Sequence, residues 1–298
     1  MEVDHWDIVR AFTLGPVLEA TIPKPGNVNR YRDFEDLTIY HFLFGSISIV
    51  KVLYEAVERG FKVREGALLP REIGLGGLIE EAVSRSMDAQ GTNANLGIIK
   101  LIIPLAAACP LSEDFSALGS TARELIEESV PEDTVALYRA IRRANPGGLK
   151  REVEYDVYGD NVFEELVRDQ VNLLKISELG CRVELVYCEW LNGYERTLWL
   201  TNLLEDLLTL NNDLEGAVIK GFLMLMSQEL DTLIVRRAGV ERAEQVRNLA
   251  RKVLSGEILL EELDSFLRSG RKPLNPGSLA DVTAAAISLL ILKGYTLT

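Results

Sequence analysis

Helix-type periodicity runs through nearly the whole chain and constrains the fold more than any other sequence feature. Residues 38–59 carry apolar side chains at helical spacing, and Gly60 follows, a residue type that often ends a helix. Ser129, Pro131 and Glu132 have the order expected at a helix start, with a capping hydroxyl, a first-turn proline and a glutamate three residues after the serine. The pattern predicts an all-α fold.

Other segments with the same spacing are predicted as helices at residues 131–143, 161–179, 197–210, 213–236, 240–254, 257–268 and 279–292. Residues 181–191 alternate as a strand would, but a single strand has no partner, so this segment is also predicted to be helical. No internal repeat or low-complexity linker divides the chain. We therefore predict one large multi-helix domain over residues 1–298, with the loop at residues 145–160 as the best candidate for a subdivision.

Size and charge limit the functional classes. A chain of 298 residues with 47% hydrophobic side chains can bury a large core. The longest apolar run, residues 97–108, is shorter than the roughly 20 residues that cross a bilayer, so it is predicted to be a buried core helix. The formal charge of -13 disfavours nucleic acid and anionic membranes as partners, because both would be repelled.

The cysteines and histidines give little support to metal or triad chemistry. Cys109, Cys181 and Cys188 have no metal-ligand spacing, and their odd number predicts reduced thiols in a cytoplasmic protein. The N-terminal segment is acidic and does not resemble a signal peptide. His5 and His41 both fall on predicted helices, which disfavours a histidine zinc site and a Ser-His-Asp triad.

Four junctions between loops and helices concentrate residues that packing does not require. In the first, at residues 19–32, Lys24, Arg30 and Arg32 place three positive charges in an acidic protein. Gly26 follows two prolines and would let the backbone approach a ligand closely. This junction is either a phosphate-binding loop or a rigid surface turn with solvated cations.

The second junction is a polar loop at residues 91–97 that leads into the most apolar helix. Asn93 and Asn95 could orient a sugar or the water shell of a metal ion, or could cap that helix. Asp36, between the first two junctions, could hold a metal ion or could cap the helix predicted from residue 38.

The third junction ends the predicted helix at residues 213–236. Asp231 precedes Arg236 and Arg237, and these two arginines could bind phosphate or simply offset the helix dipole. Both alternatives stay open at this point.

The fourth junction, at residues 271–281, opens the last helix and begins with Arg271 and Lys272. Free backbone N–H groups at Gly277 and Ser278 could form an anion cradle, although the spacing is not that of a P-loop. Ser278 and Asp281 could instead form a capping box, and the two interpretations are compatible.

Taken in order, the four junctions resemble the triphosphoribosyl-dephospho-coenzyme A synthase family. The family motifs T-P-K-P-G-x-V, N-T-H-K-G, D-T-N…R-x-G and S-P-G-G-S-A-D correspond to residues 22–28, 93–97, 231–239 and 275–281. The chain departs from these motifs where Phe34, Asn95, Leu96 and Leu233 replace the family's histidine, histidine, lysine and asparagine.

The resemblance implies a transferase that uses ATP and dephospho-coenzyme A. The 2′-hydroxyl of dephospho-coenzyme A would attack the anomeric carbon of the ATP ribose, and adenine would leave. Such a displacement passes through an oxocarbenium-like state, which calls for a carboxylate base and for cations on the triphosphate. A related transferase with another acceptor or donor, and a non-catalytic nucleotide-binding helical protein, remain alternatives. A homo-oligomer is compatible with the sequence.

The resemblance and the residue types together give a set of expected roles. Asp231 and Asp36 are expected to act as base or to hold Mg²⁺, and Asp281 is a further candidate metal ligand. Lys24 is expected both in phosphate neutralisation and in catalysis. The remaining predicted substrate and phosphate contacts are Gly26, Arg30, Asn93, Asn95, Arg236, Arg237, Gly277 and Ser278.

Overall fold

The computed structural model describes residues 3–148, 153–270 and 273–296. Within these ranges the regular structure consists of α-helices and one 3₁₀ turn at Pro70–Glu72, and no β-strand is formed. The structure therefore confirms the predicted all-α fold and a single helical domain. A subdivision near residues 145–160 stays a prediction.

The helices follow one another along the chain through short loops. They are α1 (His5–Thr21), α2 (Ile39–Ser48), α3 (Val50–Arg64), α4 (Leu75–Gln90), α5 (Leu96–Ala108), α6 (Leu118–Glu127), α7 (Pro131–Ala144), α8 (Val162–Arg168), α9 (Leu173–Gly180), α10 (Leu185–Leu191), α11 (Glu195–Asn211), α12 (Leu214–Gln228), α13 (Thr232–Ala238), α14 (Val240–Ser255), α15 (Leu260–Arg268) and α16 (Gly277–Leu292).

Two apolar helices form the centre of the domain. In α5 all residues except Gly97 are buried, as predicted for the longest apolar run. In α16 almost every residue from Ser278 onward is buried, and this helix packs against α1, α5 and α11. Helices that are apolar on all faces require neighbours on all sides, and this requirement places α5 and α16 inside the bundle.

The helix predicted at residues 38–59 is two helices, and Gly60 does not end it. The chain leaves helical geometry at Ile49, where ψ is 0°, and α3 then continues to Arg64. A Cβ on Gly60 would lie 2.2 Å from the carbonyl oxygen of Ala107 in α5. The glycine therefore permits close packing of α3 on α5, a tertiary requirement that resembles a stop signal in the sequence.

Two other predicted helices are interrupted by capping residues. Residues 161–179 divide into α8 and α9 because Gln170 has a positive φ of 51° and the Asn172 side chain then caps α9. Residues 213–236 divide into α12 and α13 because the Asp231 side chain accepts from the N–H of Ile234. Both breaks use short polar side chains that compete with helix continuation.

The start of α7 is also shifted from the prediction. Val130, not Ser129, is the N-cap residue, and Asp133 accepts from the N–H of Val130. The hydroxyl of Ser129 is used elsewhere, since it donates to the carbonyl of Ile126 and accepts from the N–H of Leu173. The serine therefore ties α6 to α9 and does not cap α7.

The prediction of three reduced thiols is wrong for two of them. A disulfide joins Cys181 to Cys188, which places a covalent link between the end of α9 and α10. The turn between these helices brings the two Cα atoms within 4.5 Å, a distance compatible with a disulfide. Cys109 is free and buried, as expected for a packing residue.

One stretch among the described residues, Ile39–Arg64, is long and apolar enough to cross a membrane by length and composition, with a mean hydropathy of 1.2. Only 33% of its apolar window is buried, and the aromatic side chains of Tyr40 and Phe44 are exposed. This stretch comprises α2 and α3 with the break at Ile49, and a single helical stretch of this kind is weak evidence for a membrane span.

Candidate functional site

Residues 275–281, around the start of α16, contact all three of the other junctions predicted from the sequence. Asn27 of the first junction donates through Nδ2 to Oδ1 of Asn275, at 2.9 Å. Gly97 of the second lies directly against the carboxylate of Asp281, and Asp231 of the third accepts from the N–H of Leu279 at 3.0 Å. Four segments far apart in sequence therefore meet at one helix start, which we call the α16 site.

The starts of α13 and α16 cap each other. Asp231 accepts from the N–H of Ile234 through Oδ1 at 2.9 Å and from the N–H of Leu279 through Oδ2 at 3.0 Å. In return, Oγ of Ser278 accepts from the N–H of Leu233 at 3.1 Å and from the hydroxyl of Thr232 at 2.8 Å. Each side chain satisfies donors that a helix start leaves unpaired.

This reciprocal arrangement replaces the capping box predicted from the sequence. Ser278 bonds to α13 and not within α16, and Asp281 makes no hydrogen bond to a described residue. A Cβ on Gly277 would lie 2.9 Å from Leu233, so the glycine lets α13 approach closely. Phosphate binding by Gly277 and Ser278 stays a prediction.

Asp231 is buried, and its environment changes its acidity. Burial raises the pKa of this carboxyl to about 6, although the backbone amides of Leu279 and Ile234 and the charge of Arg236 act in the opposite direction. Because both oxygens already accept from the backbone, Asp231 joins two helices in this structure. Its predicted role as base stays a prediction.

Asp281 occupies the centre of the α16 site. A Cβ on Gly97 would lie 1.9 Å from Oδ2 of Asp281, so only a glycine at position 97 leaves room for this carboxylate. Burial raises the pKa of Asp281 well above its usual value, and the nearby carboxylates of Glu19, Glu184 and Asp231 raise it further. The surroundings of Asp281 therefore favour its protonated form.

Lys24 is enclosed in the protein and is paired. Its Nζ lies 2.8 Å from Oε1 of Glu19 and also donates to the main-chain carbonyl of Glu19. The lysine thus ties the loop after α1 to the end of that helix, with neither side chain open to solvent. A contact between Lys24 and a phosphate, or a catalytic role for it, stays a prediction.

Gly26 serves packing in this structure. It has a φ of +75°, and a Cβ there would lie 2.7 Å from Leu267 and 2.9 Å from Pro276. Its N–H donates to Oδ1 of Asp264 at 2.8 Å. The glycine therefore seats the first junction on α15 and on the residue before α16, and its predicted ligand contact stays a prediction.

Arg30 and Asp36 lie at the surface. Arg30 pairs with Glu215 at 2.6 Å and with the hydroxyl of Tyr31 at 2.8 Å. Asp36 is exposed and has no hydrogen bond or ion pair with the described residues. The interpretation of Asp36 as the cap of the following helix is wrong, because Thr38 is its N-cap residue.

The two asparagines of the second junction have structural partners. Oδ1 of Asn93 accepts from the N–H of Leu96 at 3.3 Å, as the capping interpretation predicts. Asn95 is buried and links three helices, since it donates to Ser46 and accepts from Gln90, both at 3.2 Å. Ligand contacts by either side chain stay predictions.

The two arginines of α13 differ in their surroundings. Arg236 donates through one terminal nitrogen to the carbonyl of Val183 at 3.0 Å, while its Nε is buried and has no hydrogen-bond partner. Arg237 is exposed and lies beside Gly147. Arg236 is also one of the charges that act on the buried carboxyl of Asp231. Arg271 and Lys272 lie outside the described residues.

Sequence reasoning missed an ion pair beside this site. Lys100 is fully buried in α5, and its Nζ lies 3.0 Å from Oε2 of Glu184 and 3.6 Å from the centre of the Tyr187 ring. Burial lowers the pKa of Lys100, and Glu184 partly offsets this effect. The signal in the sequence was a lysine within the most apolar helix.

A proline and a tryptophan position Lys100. Pro104 has no N–H, so the carbonyl of Lys100 lacks its usual partner one turn ahead. The indole N–H of Trp190 donates to that carbonyl at 3.0 Å, and the hydroxyl of Tyr194 donates to the next one, on Leu101, at 3.1 Å. The chain between α10 and α11 is thereby attached to α5.

The described residues do not form a resident metal site. Among them, no group of three or more histidine, cysteine, aspartate or glutamate side chains could hold a metal ion. Asp231 uses both oxygens for backbone amides, and Asp36 is exposed and makes no contact with the other two candidate ligands. The Mg²⁺ ligands predicted at Asp231, Asp36 and Asp281 therefore do not fit such a site in this structure.

Two clefts on the described surface lie elsewhere. One is between α7 and α8, lined by Arg139 and Phe163 among others, and the second lies between α1 and α3, beside Trp6. Neither is lined by a residue of the four junctions. The polar groups that join the four junctions at the α16 site are mostly buried.

Comparison with known proteins finds a related sequence and a solved structure with the same fold. A curated relative from Malonomonas rubra, named "Probable 2-(5''-triphosphoribosyl)-3'-dephosphocoenzyme-A synthase", is 27% identical over 307 residues, which cover 97% of this chain and 88% of the relative. A crystal structure from Archaeoglobus fulgidus, described as a candidate triphosphoribosyl-dephospho-CoA synthase, has the same fold, with a TM-score of 0.63 at 22% identity over 83% of this chain and all of that one. The sequence profile of the family ATP:dephospho-CoA triphosphoribosyl transferase matches residues 5–297, and the chain belongs to that family.

Proposed function

We propose that the chain transfers the triphosphoribosyl group of ATP to the 2′-hydroxyl of dephospho-coenzyme A and releases adenine. The observation that carries the proposal is the meeting of all four sequence junctions around the start of α16. Family membership supports the same reaction. A transferase of this kind must bring a nucleotide, an acceptor hydroxyl and proton-transfer groups to one place.

Asp281 is the group that would assist departure of adenine. As the bond between C1′ of the ribose and N9 of adenine breaks, its electron pair moves to adenine, which must take up a proton. The raised pKa of Asp281 suits a proton donor, and no described residue forms a hydrogen bond with its carboxyl group. General acid catalysis by such a carboxyl contributes about 10²–10⁴-fold to a rate.

The triphosphate would be held by cations and backbone amides near the α16 site. Arg236 offers a buried Nε without an acceptor, and guanidinium groups bind phosphate oxygens in defined geometry. Arg30 and Arg237 would extend the positive surface outward. ATP would arrive as its magnesium complex, so that the ion enters with the substrate.

The proposed setting is the cytoplasm, as expected from the sequence, and assembly into homo-oligomers stays a prediction. The Cys181–Cys188 disulfide is uncommon in that compartment, although redox-sensing and hyperthermophilic proteins form such bonds. Counting the free thiols of the protein extracted from its host under alkylating conditions tests the proposed location.

Mass spectrometry tests the reaction directly. The protein is incubated with ATP, Mg²⁺ and dephospho-coenzyme A, and the expected products are free adenine and dephospho-coenzyme A carrying one triphosphoribosyl group. The variant Asp281→Asn should lose at least tenfold in rate while it still binds ATP in calorimetry. Adenine release without a coenzyme A product would indicate another acceptor, and absence of both ATP binding and product would overturn the proposal.

A further inference from the structure

The carboxylates around the α16 site differ in their availability to accept a proton. Asp231 already accepts two backbone N–H groups, and Glu19 is enclosed with Lys24. The surroundings of Asp281 raise its pKa and favour its protonated form. Glu184 is the remaining carboxylate of this group, and 18% of its side chain stays accessible.

The backbone on both sides of Glu184 is attached to the site. The carbonyl of Val183 accepts from Arg236 at 3.0 Å. The N–H of Leu185 donates to the hydroxyl of Thr232 at 3.1 Å, and that hydroxyl donates to Ser278 at 2.8 Å. Two neighbouring hydrogen bonds thus hold Glu184 against the starts of α13 and α16.

Lys100 completes the placement of this carboxylate. Its buried Nζ lies 3.0 Å from Oε2 of Glu184, and the ring of Tyr187 covers the cation at 3.6 Å. Burial alone would raise the pKa of Glu184, but the charges of Lys100 and Arg236 outweigh it and hold the pKa below its usual value. The surroundings of Glu184 and Asp281 therefore shift their pKa values in opposite directions, and such divergence separates a base from an acid.

We propose that Glu184 is the base that takes the proton of the attacking hydroxyl, and that Lys100 is the positioning residue that holds it. This inference rests on the proposed function. The acceptor oxygen bonds to C1′ as the bond from C1′ to N9 breaks. The hydroxyl proton passes to Glu184, the electron pair of the broken bond leaves with adenine, and Asp281 supplies the proton that adenine takes up. Exchange with solvent then removes the proton from Glu184 and returns one to Asp281, which restores the starting state.

Glu184→Gln tests the base, with Glu178→Gln as the matched control. Glu178 lies six positions earlier, on the exposed face of α9, so its replacement removes the same charge away from the site. Loss of a general base should lower kcat by about 10²–10⁴-fold, with the KM for ATP within threefold of wild type. Glu178→Gln should retain wild-type kcat.

Lys100→Met tests the positioning role through the pH dependence of kcat/KM. Removal of the cation leaves Glu184 facing Arg236, Tyr187 and Asp281, and raises the pKa of the glutamate. Because the base must be ionised, the acidic limb of the profile should move to higher pH by at least one unit. A lysine with a purely structural role would lower activity equally at all pH values.

The outcomes are distinguishable. If wild type makes the triphosphoribosyl product and Glu184→Gln keeps kcat within threefold of Glu178→Gln, the inference is overturned while the proposed function stands. If wild type makes no product, both the inference about Glu184 and the proposed function fail. Should the unpaired Lys100 prevent folding of Glu184→Gln, the double variant Lys100→Met/Glu184→Gln removes both charges, and its expected result is a folded protein with the same loss of kcat.

Discussion

Asp231 and Leu279 are 48 residues apart, and the carboxylate of the first accepts from the backbone N–H of the second at 3.0 Å. The same carboxylate caps α13 through Ile234, so one buried side chain holds two helix starts together. The contact orients the start of α16, around which the four junctions meet. One carboxyl group therefore contributes to both the stability and the geometry of the site.

Asp231→Asn should change the pH dependence of stability. Folding raises the pKa of Asp231 from about 4 to about 6, so the folded state binds this proton more tightly. The corresponding stabilisation is present below about pH 4 and is lost as the pH rises through about 6. The stability advantage of wild type over the variant should shrink by up to about 3 kcal/mol between pH 4 and pH 7.

Urea denaturation at both pH values measures this difference. Asp206→Asn, at an exposed aspartate of α11, is the control and should show no such change. An advantage of wild type that stays constant or grows with pH would contradict the prediction. The asparagine side chain has one acceptor oxygen for the two backbone N–H groups. A loss of about 1 kcal/mol in the free energy of unfolding, independent of pH, is therefore expected in addition.

Gly97→Ala should reduce transfer activity by at least tenfold while the protein still folds. The added Cβ would meet Oδ2 of Asp281 at 1.9 Å, and a carboxylate can move aside more easily than a backbone. The control is Gly77→Ala in α4, where a Cβ meets no atom within 4 Å. This change should leave activity intact and stabilise the helix by about 0.5–1 kcal/mol. Wild-type rates for Gly97→Ala would show that the position of Asp281 is unimportant.

The sequence predicts the helical fold and the four junctions because both depend on local chemistry. Apolar spacing gave α5 and α16, and prolines, glycines and asparagines marked the loops before the helices. Only the resemblance to a known family gave a reason to expect that these loops lie together, since local sequence patterns do not specify which loops meet. Predicted capping partners were wrong where the true partner is distant in sequence. The hydroxyl of Ser278, for example, accepts from the N–H of Leu233 in α13.

Residues whose roles depend on tertiary packing could not be predicted. Gly60 is of the residue type that often ends a helix, but it lies inside α3. Its lack of a side chain lets α3 pack closely against Ala107. Glu184 lay in a segment with ambiguous periodicity, and its link to Lys100 joins positions 84 residues apart. A charge inside an apolar helix was visible, but no sequence pattern identified its partner.

Trp190→Phe should destabilise the protein by about 1–3 kcal/mol, because it leaves the carbonyl of Lys100 without a donor. Pro104→Ala supplies a backbone N–H one turn ahead of that carbonyl. The cost of the tryptophan change should therefore be smaller in the Pro104→Ala background, with a coupling of about 1 kcal/mol in a double-mutant cycle from denaturant unfolding. Strict additivity would mean that the indole does not replace the missing amide.

The Cys181–Cys188 disulfide closes a short loop that contains Glu184, which links the redox state of the protein to its site. Constraint of the unfolded chain by a loop of this length contributes about 2–3 kcal/mol. Cys181→Ser/Cys188→Ser should lower the free energy of unfolding by about that amount and reduce kcat, while Cys109→Ser, which removes the free buried thiol, should not reproduce the loss of kcat. Alkylation of the denatured, unreduced protein should label one thiol of the three. Labelling of all three would show that the two cysteines are not joined, and the serine pair would then be expected to behave as wild type.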